Sequence, residues 1–146
     1  MVSFNINAPF IIKDVDSKRV MQVFDGQGNR TDHPMCEQVI INDYDGSPSQ
    51  VFTYRDGLIV SHKNGLVLDV SENPGDRKAI ITWPAHGRFN QLWSISEYGE
   101  IKSQLRLVLA VRHSPSPIYP KLSVYATDKD TARNRDEYRK FVLVNV

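Results

Sequence analysis

DGLIVSHKNGLVLDV at 56–70 returns as GEIKSQLRLVLAV at 99–111, and the fold class follows from that recurrence. In both copies apolar side chains alternate with their neighbours at a period of two, which suits a strand and not a helix. A fainter copy opens the chain, where Phe10-Ile11-Ile12-Lys13 leads to Arg19-Val20-Met21-Gln22-Val23. Each unit then closes on an aromatic: Gln50-Val51-Phe52, Gln91-Leu92-Trp93 and Arg139-Lys140-Phe141. These aromatics stand 41 and 48 residues apart, so the period is about 40–50 residues, in the range of repeat architectures.

The stretches around the two copies agree with them. KLSVY at 121–125 and FVLVNV at 141–146 alternate as strands do, and turn-forming clusters such as DGQGN (25–29), DYDGSPS (43–49), SENPGD (71–76) and HSPSP (113–117) separate the runs. The best helical candidate, residues 130–140, lacks an apolar face and reads as a solvated turn or a single helical turn. The class is therefore all-β, with three units of about four short strands each. Three propeller blades fall below the usual four to eight, which favours a closed three-fold barrel. The units run over about 4–54, 55–97 and 98–146 within one domain, 1–146.

Composition excludes more than it identifies. Of 146 residues 40% are hydrophobic and 24% charged, and 18 Lys+Arg against 17 Asp+Glu leave +1. That balance gives no footprint for nucleic acid or an anionic membrane. The one cysteine, Cys36, excludes an intrachain disulfide and a Cys-cluster zinc site and fits a reducing compartment. MVSFNINAPFIIKD has neither a basic n-region nor an apolar h-region, and no run approaches the ~20 apolar residues of a membrane span. The expectation is a cytoplasmic or non-classically released protein that does not insert into membranes. Hydrolase, phosphate-loop, zincin and dinucleotide motifs are missing; Gly26-Gln27-Gly28 starts the last and fails at its third glycine. His33, His62, His86 and His113 are too scattered for metal spacing and read as surface loop residues. Neither enzyme activity, metal nor cofactor is expected.

Alternation also sorts side chains by face. Leu66, Leu68 and Val70 share the core face, which turns Asp69 outward; an outward carboxylate adds little to stability. In Ala79-Ile80-Ile81-Thr82-Trp83, inward Ile80 and Thr82 leave Trp83 exposed. In Asn90-Gln91-Leu92-Trp93, Trp93 is the core anchor and Asn90 takes the opposite face. Asp69, Trp83 and Asn90 suit a neutral sugar: a carboxylate accepts from vicinal hydroxyls, an amide donates and accepts, and an indole covers the C–H face of a pyranose.

A glutamine-x-tryptophan ending in register with an L-D-V strand, full in the middle unit (Gln91-Leu92-Trp93, Leu68-Asp69-Val70), partial in the first and eroded in the third, resembles the ricin-B-type β-trefoil lectins over nearly the whole chain, from about Phe4 to Val146. The resemblance implies a galactose pocket lined by Asp69, Trp83 and Asn90, with Gln91 as the supporting residue. It implies galactose- or N-acetylgalactosamine-containing glycoproteins or glycolipids as partners. Ile81 departs from the family, which often has a polar residue there. The first unit presents Gln22, Tyr44 or Asp43, and Ser49 at the matching places, and the third Ala110, Tyr125 and Tyr138, so the middle unit is the expected site. A homodimer is the assembly that agglutination would require. The rival class is a trefoil protease inhibitor or protein-interaction module working through loops 43–49 or 113–120.

Overall fold

A computed structural model describes residues 4–24, 38–71, 77–97, 99–111, 122–128 and 140–146. Cys36, the loop 113–120, the stretch 130–139 and Tyr138 lie outside the described residues. Twelve strands follow in order: β1 Phe10–Asp14, β2 Val20–Val23, β3 Val39–Asn42, β4 Phe52–Arg55, β5 Leu58–Ser61, β6 Val67–Val70, β7 Arg77–Trp83, β8 Trp93–Ile95, β9 Ile101–Ser103, β10 Leu107–Val111, β11 Leu122–Asp128 and β12 Phe141–Asn145.

Six of them are joined into a ring. β1 pairs with β4 and β12, β4 with β5, and β8 with β9, all antiparallel. Two hydrogen bonds supply the remaining joints: Trp93 N to Gly57 O and Phe141 N to Gly99 O, each 2.8 Å. Gly57 and Gly99 hold matching backbone angles, φ +86 and +85, a left-handed region that a side chain disfavours. At Gly99 a Cβ would also strike the Phe141 backbone.

The other six strands form three hairpins, β2–β3, β6–β7 and β10–β11. They meet one another where β11 pairs with both β7 and β3, and where Gln38 bridges Ile81. The three-fold repetition extends to the turns. Lys18, Gly65 and Arg106, each just before the first strand of its hairpin, have φ of 62, 73 and 65.

Phe52, Trp93 and Phe141 each open a barrel strand, are buried, and share one core with Phe10, Ile12, Ile59, Leu68, Ile80 and Ile101. The expected equivalence of the closing aromatics therefore holds. A buried aromatic removes about 150–250 Å² from water, which at ~25 cal/mol/Å² stabilises by about 4–6 kcal/mol on an extended-chain reference. Trp93 adds a bond from Nε1 to the Leu68 carbonyl, 3.1 Å, tying β8 to the middle hairpin.

Candidate functional site

The β6–β7 register decides what can meet on the outer face of the middle hairpin. Leu68 faces Thr82 and Val70 faces Ile80, and these side chains point inward and are buried. Asp69 lies opposite Ile81, and Trp83 lies opposite Val67, one step along the same outer face. Asp69 and Trp83 are thus diagonal neighbours, with Trp83 half-buried.

Asp69 is on the expected face but is not an open carboxylate. It is only 4% exposed, because the segment after β7 folds back over it. Its Oδ1 accepts from Asn90 Nδ2 at 2.9 Å and its Oδ2 from Gln91 Nε2 at 2.8 Å. Leaving such an acceptor pair unmatched costs about 1–3 kcal/mol, so the expectation that Asp69 matters little for stability is corrected.

Gln91 is fully buried and makes four bonds. Its Oε1 accepts the backbone N–H of His86 (2.8 Å) and Gly87 (3.2 Å), and its Nε2 donates to Asp69 and to the Pro84 carbonyl (3.0 Å). Two backbone donors on one side and a carbonyl on the other fix which way the amide points. Phe89–Gln91 form a short 3-10 turn, and β8 starts only at Trp93, so the face assignment drawn from strand alternation at Asn90 is replaced. Asn90 is half-buried and spends one of its two amide hydrogens on Asp69.

The loop between Trp83 and the 3-10 turn brings in a residue that the sequence assigns to a surface loop. His86 Nε2 lies 3.8 Å from Asp69 Oδ2, and its Nδ1 accepts the Arg88 N–H at 3.0 Å. Its place three residues after Trp83 and four before Asn90 was the available signal.

The first unit repeats the scaffold with different chemistry. Gln50, in the 3-10 turn Pro48–Gln50, donates to Gln22 Oε1 (2.9 Å) and the Asp43 carbonyl (2.8 Å) and accepts from Asp45 N (2.9 Å). Asn42 Nδ2 also donates to Gln22 Oε1, at 3.3 Å. An amide oxygen has two lone pairs, and both on Gln22 are engaged. In the third unit Ala110 is buried opposite Tyr125. By register the counterparts of Trp83 are Asn42, opposite Val20, and Thr127, opposite Val108. They replace Tyr44 or Asp43 and Tyr125, which residue counting across loops of unequal length had selected. Ser49 does match Asn90, each preceding the glutamine of its 3-10 turn.

Elsewhere, a shallow groove lined by Pro9, Gly46, Pro48, Val51, His62 and Val146 contains none of Asp69, Trp83, His86, Asn90 and Gln91. Among the described residues no group of three or more His, Cys, Asp or Glu is placed to hold a metal, and no helix is long and apolar enough to cross a membrane.

Comparison with known proteins places the fold and the family. The model of the ricin-type beta-trefoil lectin domain matches residues 12–135. An agglutinin of Ricinus communis is 50% identical over 38 residues, which cover 26% of this chain and 7% of the agglutinin's length. The fold is shared with the Vibrio vulnificus hemolysin/cytolysin beta-trefoil lectin with N-acetyl-D-lactosamine bound: TM-score 0.70, 16% identity, 95% of this chain and 96% of that one. It is shared too with the C-half of an earthworm R-type lectin in complex with GalNAc: TM-score 0.65, 21% identity, 93% of this chain and 97% of that one. With most of its length matched by the family model and its strands closed into a three-fold barrel, the chain belongs to the ricin-type beta-trefoil lectin domain family.

Proposed function

We propose that residues 1–146 act as one lectin unit that binds terminal galactose or N-acetylgalactosamine of glycoproteins and glycolipids, non-covalently, through the middle repeat. In this reading Asp69 accepts the sugar hydroxyls, Trp83 covers the apolar face of the ring, Asn90 completes the polar contacts, and Gln91 holds Asp69 in place. The role is binding, without catalysis or a cofactor.

One observation carries the reading: Asp69 is held by both Asn90 and Gln91 on the sheet face that also presents Trp83. A carboxylate has about four acceptor sites, against two on an amide oxygen, and its bonds are charge-assisted. That contrast with Gln22 and Ala110 favours the middle unit over the other two. The sugars bound in the Vibrio and earthworm structures, N-acetyl-D-lactosamine and GalNAc, support the sugar class. A glycan array tests it. Signals concentrated on galactose- or N-acetylgalactosamine-terminated glycans are expected, and signals confined to other termini would contradict the sugar assignment.

A further inference from the structure

His86 is tied into the site at three points. Its backbone N–H donates to Gln91, its Nδ1 accepts from the Arg88 N–H, and its Nε2 stands 3.8 Å from Asp69 Oδ2. Because Nδ1 is an acceptor, the neutral ring carries its hydrogen on Nε2, the nitrogen nearest the carboxylate. One third of the side chain is open to solvent, so the ring can exchange protons.

Protonation changes two contacts in the same direction. The new hydrogen on Nδ1 would face the Arg88 N–H, two donors head to head, and that bond would break. The imidazolium would also be drawn onto Asp69 Oδ2, an atom offered to sugar hydroxyls. Among the described residues, the charged residues recorded in contact with the ring are Asp69 from β6 and, through its backbone N–H, Arg88 from its own loop.

We propose that His86 is a further, pH-responsive positioning residue of this glycan site, which leaves Asp69 to the sugar while neutral and competes for it when charged. Glycan affinity then falls once acid protonates the His86 ring, because the charged ring is drawn onto the carboxylate that meets the sugar. This rests on the middle-repeat reading above.

The test is calorimetric titration of the full chain with lactose, a galactose-terminated probe, at about pH 8 and pH 5.5. The wild type should bind about five- to tenfold more weakly at the lower pH, within the usual span of coupled equilibria. His86→Gln should bind alike at both, within about twofold, and His62→Gln, whose histidine lines a groove that shares no residue with the site, should behave as wild type. Equal wild-type affinity at both pH values, or a pH drop that survives in His86→Gln, overturns the role of His86 and leaves the site intact. Wild-type affinity in Asp69→Asn, or no lactose binding by the wild type at the higher pH, overturns the site reading and this inference with it.

Discussion

Gln91 Nε2 donates to Asp69 Oδ2 at 2.8 Å, and both residues are buried. The bond joins the end of the middle unit to its hairpin, and the same amide pins the loop from Pro84 to Gly87. The closing glutamine is therefore a loop fastener first, and it sets the position of the carboxylate as a consequence. Gln50 and Gln22 make the corresponding bond at 2.9 Å in the first unit.

Removing this fastener should destabilise the fold. Gln91→Ala would leave two backbone N–H groups, a carbonyl and a carboxylate oxygen without their partner. A loss of about 2–3 kcal/mol is expected by denaturant unfolding. Asn90→Ala, which deletes one bond from a half-buried side chain, should cost about 1 kcal/mol or less. Equal costs for the two variants would contradict the role given to Gln91.

The ring joints make a second prediction. Gly99→Ala meets both a left-handed φ and the Phe141 backbone, whereas Gly57→Ala has the same φ but meets only the Leu92 side chain at 3.2 Å. Gly99→Ala should lose more stability, by about 1 kcal/mol or more relative to Gly57→Ala. The reverse order in thermal unfolding would mean the third-unit joint is misplaced.

The two tryptophans should separate core from surface. Trp93→Ala should cost about 3–5 kcal/mol, because a fully packed ring leaves a cavity, and Trp83→Ala much less, because Trp83 is half-buried on the outer face. Galactose should perturb tryptophan fluorescence in the wild type and not in Trp83→Ala. A ligand-induced change that persists without Trp83 would remove the stacking role.

Much of this was legible from residue pattern. Two-residue alternation gave the inward faces of β6 and β7, and the repeat spacing gave Phe52, Trp93 and Phe141 as one core layer. Alternation failed where the chain stops being a strand. At Phe89–Gln91 a 3-10 turn buries Gln91 and lays Asn90 on Asp69, and nothing in local periodicity marks a carboxylate as roofed by a segment twenty residues later. Counting also failed between units, since hairpin loops differ in length. Only strand pairing aligns Trp83 with Asn42 and Thr127. His86 looked isolated because its partner, Asp69, is distant in sequence.

Valency follows from the contrast between units. With the Gln22 oxygen engaged by Gln50 and Asn42, and Ala110 unable to bond a hydroxyl, calorimetry should give about one sugar per chain. A few hydrogen bonds less the ordering cost correspond to a Kd of about 0.1–10 mM. Haemagglutination, if seen, should accompany a dimer in solution, since one weak site cannot bridge cells without multivalency. A stoichiometry near three, or an agglutinating monomer by light scattering, would show that other units bind.

The most direct measurement compares galactose titrations of the wild type and Asp69→Asn. The substitution keeps shape and one oxygen, and Asn90 can rotate its amide to meet the new NH2 group while Gln91 stays fixed, so the variant should remain folded by circular dichroism. It loses the charge and one acceptor oxygen, and affinity should fall at least about tenfold, since charge-assisted bonds are roughly twice as strong as neutral ones. A folded Asp69→Asn protein that binds galactose as tightly as the wild type would contradict the assignment of sugar recognition to the middle unit.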